Sequence, residues 1–386
     1  MVTRVTNTML QNTLLSNLSM NLNRMDKLQN QLSSGRKYGH ISDDPSALIY
    51  GQAARNKIAR ISHYQAKVES AQSWLTQAES GIMELNKVVG AVYEELVSAG
   101  SVKTESDKKN LAMVVAQLRD HYVDTLNTAY GDRFVFGGYN TPGDFTDERR
   151  EDGVKPFSVD PVSGALYFNG LNISQFDGMD SVIYDDLFRK QDITGLSNAA
   201  AGQAIIDSLD PGLGITNDAE FLAEFGFSLD DAVVMNRLLN DLLTFDVGTG
   251  ISMPVTQNGI DIVFFIAQGP DGPIVRNTYD LLQEVYTQIN EDASTDDLTL
   301  LIKLVQDSQN HLLTRTAEIG GRQRRLELLE ARYEQDNLNY EKMRSDAEDA
   351  DIAEVIMFLK MAETVYQAAL SAGARVIQPT LMDFLR

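Results

Sequence analysis

The sequence predicts a mainly helical protein with a β-rich insert. The N- and C-terminal regions would form an elongated antiparallel helical bundle or coiled coil, with a mixed α/β outer domain at its tip. Three observations predict it. Apolar residues recur every seven positions towards both ends of the 386-residue chain; residues 139–279 lack that period; and the stretch "LQNQLSSGRKYGHISDDPSALIYG", Leu28–Gly51, closes one helix and opens another.

Taken in order, Leu15, Leu18, Leu22, Met25 and Leu32 form one stripe of a first helix, with Leu28 at its edge. Gly35 stands where a helix end needs positive φ, and Arg36 and Lys37 suit the negative end of the dipole. In the loop that follows, Asp44 can cap the next helix with Pro45 at its first position, and Ser42 is an alternative cap; Asp43 fits turn chemistry.

The second helix carries the clearest signal. Ile61, Val68, Leu75, Ile82, Val89 and Leu96 are spaced by seven, and Tyr64, Ala71, Ala78, Leu85, Val92 and Ala99 follow each of them by three. That is a coiled-coil seam. A helix from Pro45 to Ala99 is on the order of 80 Å long at ~1.5 Å per residue. A third helix is expected from Ser106 to Tyr130, with Leu111, Val115, Leu118, Tyr122, Thr125 and Ala129 on one face.

After "GDRFVFGGYNTPGDF" the pattern changes. "KPFSVDPVSGALYFNG" reads as two strands around a turn at Pro161–Gly164, and "NGIDIVFFIAQGPDG" holds another strand. Residues 228–245 have helical spacing with Ser228 as cap. The helical register returns after Thr278: Leu298, Val305, Leu312, Ile319, Leu326, Tyr333 and Tyr340 lie seven apart, with a light break expected at Gly320–Gly321. A last helix from Asp351 carries Ile352, Ile356, Leu359, Val365, Tyr366, Ala369 and Leu370.

The two seams lack partners in their own neighbourhoods, so the simplest arrangement pairs them antiparallel, with both termini at one end. Three divisions follow: residues 1–40 with 350–386, residues 41–138 with 280–349, and the insert 139–279.

Composition narrows the function. The formal net charge of -22 argues against a nucleic-acid coat. The charge is uneven: residues 1–60 hold eight Lys/Arg and three Asp/Glu, and residues 139–231 hold five and eighteen. The chain has no cysteine, hence no disulfide or thiolate site. Residues 5–23 are uncharged, but eleven are Ser, Thr, Asn or Gln, too polar for a signal core or a bilayer span. Membrane insertion is not expected.

His40, His63, His121 and His311 show no metal-binding spacing, and a lone helical His reads as a surface residue. No phosphate loop, dinucleotide fingerprint or nucleophile elbow occurs. Arg322, Arg324 and Arg325 are expected to meet charged partners on adjoining helices. No catalytic, cofactor or metal site is expected.

"LQNQLSSGRKYGHISDDPSAL" resembles the N-terminal signature of the bacterial flagellin family, where LSSG is followed shortly by a double aspartate. With Ser42-Asp43-Asp44-Pro45 it is more similar to the hook-associated, hook–filament junction branch than to filament flagellin. "SDAEDADIAEVIMFLKMAETVYQAALSAGARVIQPTLMDFLR" resembles the family's C-terminus, and "EIGGRQRRLE" and "FVFGGYNT" match weaker landmarks.

The resemblance covers residues 1–140 and 280–386 and implies a structural, extracellular axial protein of the flagellum at the hook–filament junction. Such a protein is exported unfolded through the flagellar type III apparatus without a cleaved signal, and assembles as a helical layer. The implied partners are copies of itself, the other hook-associated junction protein, flagellin, and an export chaperone at the C-terminal region. Assembly-interface candidates are Leu15, Leu18, Leu22, Met25, Leu32, Ile352, Ile356, Leu359, Tyr366 and Leu370. The alternatives are filament flagellin itself and, more distantly, a non-flagellar coiled-coil adaptor.

Overall fold

A computed structural model of the chain describes residues 7–40, 42–100, 104–131, 133–138, 155–190, 193, 195–209, 213, 215–240, 243–269, 272–291 and 295–377. The "TDERREDG" loop and the closing "TLMDFLR" lie outside the described residues.

The chain is mainly helical with a mixed insert. In order, the elements are α1 (Asn7–Ser34), α2 (Pro45–Ala99), α3 (Glu105–Leu126), β1 (Ala129–Tyr130), β2 (Arg133–Phe134), β3 (Phe157–Val159), β4 (Leu166–Phe168), β5 (Leu171–Asn172) and α4 (Ser181–Phe188). Next come α5 (Asn198–Ser208), α6 (Asp218–Phe225), α7 (Leu229–Asn240), β6 (Thr244–Gly248), β7 (Ile251–Pro254), α8 (Gly259–Val263), β8 (Phe264–Gln268) and β9 (Pro273–Asn277). The chain then continues through α9 (Thr278–Asn290), α10 (Thr295–Glu348) and α11 (Ile352–Ile377). Two compact units result: Met1–His63 with Ala331–Arg386, and Tyr64–Glu330.

Within Tyr64–Glu330, α2 and α10 run antiparallel. Gln72 Nε2 donates to Glu330 Oε2 at 2.9 Å, Gln323 Nε2 to Glu79 Oε2 at 3.0 Å, and Gln306 Nε2 to the Tyr93 hydroxyl at 3.2 Å, so numbers rise on one helix as they fall on the other. The buried positions follow the seven-residue spacing. Val68, Leu75, Ile82, Val89 and Leu96 are fully buried on α2, as are Val305, Leu312, Ile319 and Leu326 on α10. Leu298, near the α10 start, is half-buried. Each such side chain contributes roughly 1.5–3 kcal/mol of burial. Ala71 and Ala78 are also fully buried, which lets another element approach the α2 backbone closely.

α10 continues as helix through Gly320–Gly321, where a light break was expected. Gly costs only about 1 kcal/mol in a helix, and Ile319 and Leu326, fully buried on either side, hold the segment in register. α3 stops at Leu126, short of the expected Tyr130, and Ala129–Tyr130 instead pairs with Arg133–Phe134 as a hairpin. The reason is Asn127. Its Nδ2 donates to the Phe157 carbonyl at 2.9 Å and its Oδ1 accepts from the Phe157 amide at 2.9 Å, so the side chain docks the first strand of the insert and ends the helix.

Four small antiparallel sheets, β1–β2, β3–β4–β5, β6–β7 and β8–β9, each join consecutive strands. The insert holds more helix than a β-rich reading suggests. α4, α5 and α6 are 8, 11 and 8 residues long, too short for periodicity, and their signals are caps: Asp180, Ser197 and Asn217 each accept from the first-turn amides. Among them lies an aromatic core. Phe176 meets Phe227 at 4.7 Å and Phe188 at 5.3 Å between centroids, both edge-to-face.

α9 packs along α3, and its start is tied inward. The buried Thr278 hydroxyl donates to the Val263 carbonyl at 3.0 Å, which leaves the Ser308 hydroxyl of α10 to donate to Thr278 at 2.9 Å. One turn position on, Asp280 accepts from Ser174 Oγ at 2.8 Å while its Oδ2 is buried without a partner. Burial pushes its pKa up to about 7.

An acid raised in the folded state stabilises it fully below the unfolded pKa of about 4. That stability is lost as pH rises towards 7. Asp280→Asn imitates the protonated acid. The variant is expected to match the parent near pH 4 and to exceed it above pH 7 by up to about 4 kcal/mol, at about 1.4 kcal/mol per unit. Urea midpoints at the two pH values check this; equal pH slopes for variant and parent would contradict it.

Candidate assembly interface

The candidate interface lies in the unit Met1–His63 with Ala331–Arg386, and it begins with a helix pair. α1 and α11 run antiparallel: the Leu14 side chain sits over Gly373 near one end, and Leu28 packs with Val355 and Ala362 near the other. Met25, Leu32, Ala350, Phe358 and Leu359 flank that cluster.

The face of α1 that packs on α11 is therefore Leu14, Met25, Leu28 and Leu32, with Leu18 half-buried. Leu28, expected at the edge, is at 8% exposure the most buried of the described side chains of α1, while Leu15 at 62% and Leu22 at 47% face away. Leu14 and Leu15 are adjacent, so α1 has apolar residues on two faces; contact with α11 selects one of them.

Between α1 and α2 the chain turns through a tightly bonded loop. Gly35 takes φ 69°, its amide donates to the Gln31 carbonyl at 2.8 Å, and its carbonyl accepts from the Ala350 amide at 2.9 Å. Lys37 donates its amide to the Glu348 carbonyl at 2.7 Å and its Nζ to the Asp346 carbonyl at 2.7 Å. The loop is thus stitched to the turn between α10 and α11 by backbone on both sides.

Asp43 and Asp44 have separate jobs. Asp43 accepts from Lys27 Nζ at 3.0 Å and from the Gly39 and His40 amides at 3.2 and 3.1 Å. The Lys27 and backbone bonds hold its carboxyl below the usual range. Asp44 accepts from the Ser46 and Ala47 amides at 3.0 and 3.1 Å, which makes it the cap of α2 with Pro45 first in the helix. Ser42, the alternative cap, lies exposed in the turn.

One ion pair joins the long helices here: Arg55 Nη2 meets Glu348 Oε2 at 2.5 Å. Gly51 lies beneath that carboxylate, and a Cβ there would overlap it and push the Glu348 side chain aside. Ile61, the first seam residue, is 7% exposed.

The ten interface candidates divide between the two faces. Leu18, Met25, Leu32, Leu359 and Tyr366 are half-buried. Leu15, Leu22, Ile352, Ile356 and Leu370 are exposed; α11 also exposes Met357 (54%), Met361 (51%) and Val365 (48%), which lie on a different side of the helix from Ile352, Ile356 and Leu370. Val355, Phe358 and Ala362 on the packed side, and the exposed Met357 and Met361, were not singled out from sequence. The signal was present: α11 carries apolar residues on more than the one side that a single partner helix can cover.

Elsewhere, His311 is more enclosed than a surface histidine. Its Nε2 lies 2.7 Å from the Asp261 carbonyl, and burial lowers its pKa. Arg322 donates to the Thr256 carbonyl at 3.4 Å and Arg324 pairs with Glu327 on its own helix at 2.8 Å. Among the described residues no group of three His, Cys, Asp or Glu could hold a metal, and no helix is long and apolar enough to cross a membrane.

A helical pair from opposite chain ends, joined through an LSSG turn and an aspartate-capped second helix, defines a class. Residues 5–141 match the bacterial flagellin N-terminal helical region. More particularly, the chain is 26% identical over 244 residues to flagellar hook-associated protein 3 of Salmonella typhimurium, covering 56% of this chain and 76% of that protein.

With the Escherichia coli protein of the same name it shares 27% over 117 residues, 30% of this chain and 37% of that one. The flagellar filament 30.7 kDa core protein of Treponema maltophilum is 27% identical over 111 residues, 26% of this chain and 39% of that one. In fold the chain is similar to a flagellar hook-associated protein from Vibrio parahaemolyticus, with a TM-score of 0.52 at 14% identity over 80% of this chain and 100% of that one.

Proposed function

We propose that this chain is a structural, non-enzymatic component of the flagellar axis that joins hook to filament. The observation that carries the reading is the likeness to hook-associated protein 3 over 244 residues, beyond the flagellin N-terminal region alone. It acts outside the cell, reached by unfolded export through the flagellar type III apparatus, and it assembles there as a layer of copies between the other hook-associated protein and flagellin. An export chaperone holds the C-terminal region beforehand.

The exposed apolar residues of α11 support assembly by copies. Ile352, Ile356, Met357, Met361, Val365 and Leu370 lie uncovered on a single chain, and a neighbour would remove them from water. A layer around an axis needs heterologous contacts, one face of each copy meeting a different face of the next.

The 27% identity with a filament core protein favours filament flagellin as the second reading. Deleting the gene separates the two. Under the junction reading, cells keep hooks, release flagellin to the medium and build no filament, while purified protein forms no long homopolymer. Filaments still borne on the hooks of the deleted strain would overturn the junction role.

A further inference from the structure

We infer that neighbouring copies meet through opposite charges carried by the two halves of the unit Met1–His63 with Ala331–Arg386. This rests on the proposal that copies form a layer, and it names the contact within that layer.

Charge is unevenly divided. Residues 64–330 hold 19 Lys/Arg against 42 Asp/Glu and so carry the chain's acidity. The assembly unit is close to neutral, yet its two halves are not. Residues 7–63 hold seven Lys/Arg and three Asp/Glu, a net +4, while residues 331–377 hold five and nine, a net -4.

The two halves satisfy each other only in part within one chain: Arg36 and Asp349 are backbone bridge partners and Lys37 bonds the Asp346 carbonyl, but few of their side-chain charges are paired. Arg55–Glu348 is the only ion pair between them among the described residues; Lys27 pairs within its own half, as do Arg332 with Asp336 and Lys360 with Glu363. Arg24, Arg36, Lys57 and Arg60 are exposed and have no ion-pair partner among the described residues, and the same holds for Glu334, Glu341, Asp349 and Glu354. With the Arg55–Glu348 pair set aside, residues 7–63 keep a net +3 and residues 331–377 a net -3.

The occupant is a second copy because only complementary halves fit. Copies of a chain with net charge -22 repel at long range. A contact of acidic half on acidic half would add repulsion, whereas basic half on acidic half attracts and also sets direction, since the contact cannot be reversed. Such one-way contact is the heterologous geometry that a layer requires. The exposed apolar residues of α11 would supply affinity, and the charges select register and partner.

Two charge-reversed chains test this. One carries Arg36→Glu with Arg60→Glu; the other carries Asp349→Lys with Glu354→Lys. In cells lacking the natural gene, either chain alone is expected to lower the fraction of hooks bearing filaments by about tenfold or more, because like charges then face each other. Both chains expressed together are expected to restore it, since each reversed half finds its complement on the other chain.

Pairing within one chain predicts no such restoration, because each chain keeps its own damage. Full activity of either chain alone would overturn the inference. So would failure of the mixture when both chains are exported and melt like the parent. If deletion of the natural gene leaves filaments intact, the junction role falls instead.

Discussion

Ile356→Glu combined with Met361→Glu is expected to abolish filament growth from hooks while leaving the isolated chain as stable as before. Ile356 and Met361 are 44% and 51% exposed, so little burial is lost within one molecule. Glutamate is as good a helix former as methionine and better than isoleucine, so α11 itself persists. Surface substitutions of this kind change stability by roughly 0.5 kcal/mol or less.

In a layer of copies the same side chains would be desolvated. Two buried carboxylates without partners cost several kcal/mol each, enough to forbid assembly. Thermal melting of the purified variant, set beside hook morphology in cells producing it, checks both halves. A normal filament would mean that Ile356 and Met361 stay in water.

The second large effect is expected in the seam. Leu75 and Ile82 are fully buried, one heptad apart on α2. Truncating either to alanine leaves a cavity costing roughly 2–5 kcal/mol, and the two together approach the whole stability of an ordinary domain, about 5–15 kcal/mol. Met83, next in sequence to Ile82 and 49% exposed, is the control, with a change of roughly 0.5 kcal/mol on truncation. Urea unfolding of Leu75→Ala, Ile82→Ala and Met83→Ala separates them. Equal midpoints for Ile82→Ala and Met83→Ala would contradict the seam.

How much of this was legible beforehand depended on length. A seven-residue repeat sustained through nearly six heptads averages out local exceptions, so Val68 through Leu96 coincide with the buried positions of α2. The loop was legible through chemistry rather than period: positive φ at Gly35, and proline directly after a capping aspartate, have few other uses. Sequence left the choice between Ser42 and Asp44 open, because either oxygen can reach a first-turn amide.

Other features were hidden for identifiable reasons. Asn127 ends α3 by bonding a strand thirty residues on, a tertiary event with no local mark. α4, α5 and α6 are two or three turns long and announce themselves only by their caps. On α1 the spacing fits Leu15 and Leu22 as well as Leu14 and Leu28, and packing against α11 makes the choice. Gly51 under Glu348 joins residues almost three hundred positions apart, and nothing in either neighbourhood marks it.

The most direct measurement is a density map of the hook–filament junction on particles isolated from cells that make this chain. The expected map shows a single layer of copies between hook and filament, with Ile356 and Met361 of each copy covered by a neighbour and the Arg36 half facing an Asp349 half. A junction without this chain, or one in which Ile356 and Met361 face open solvent, would contradict the account.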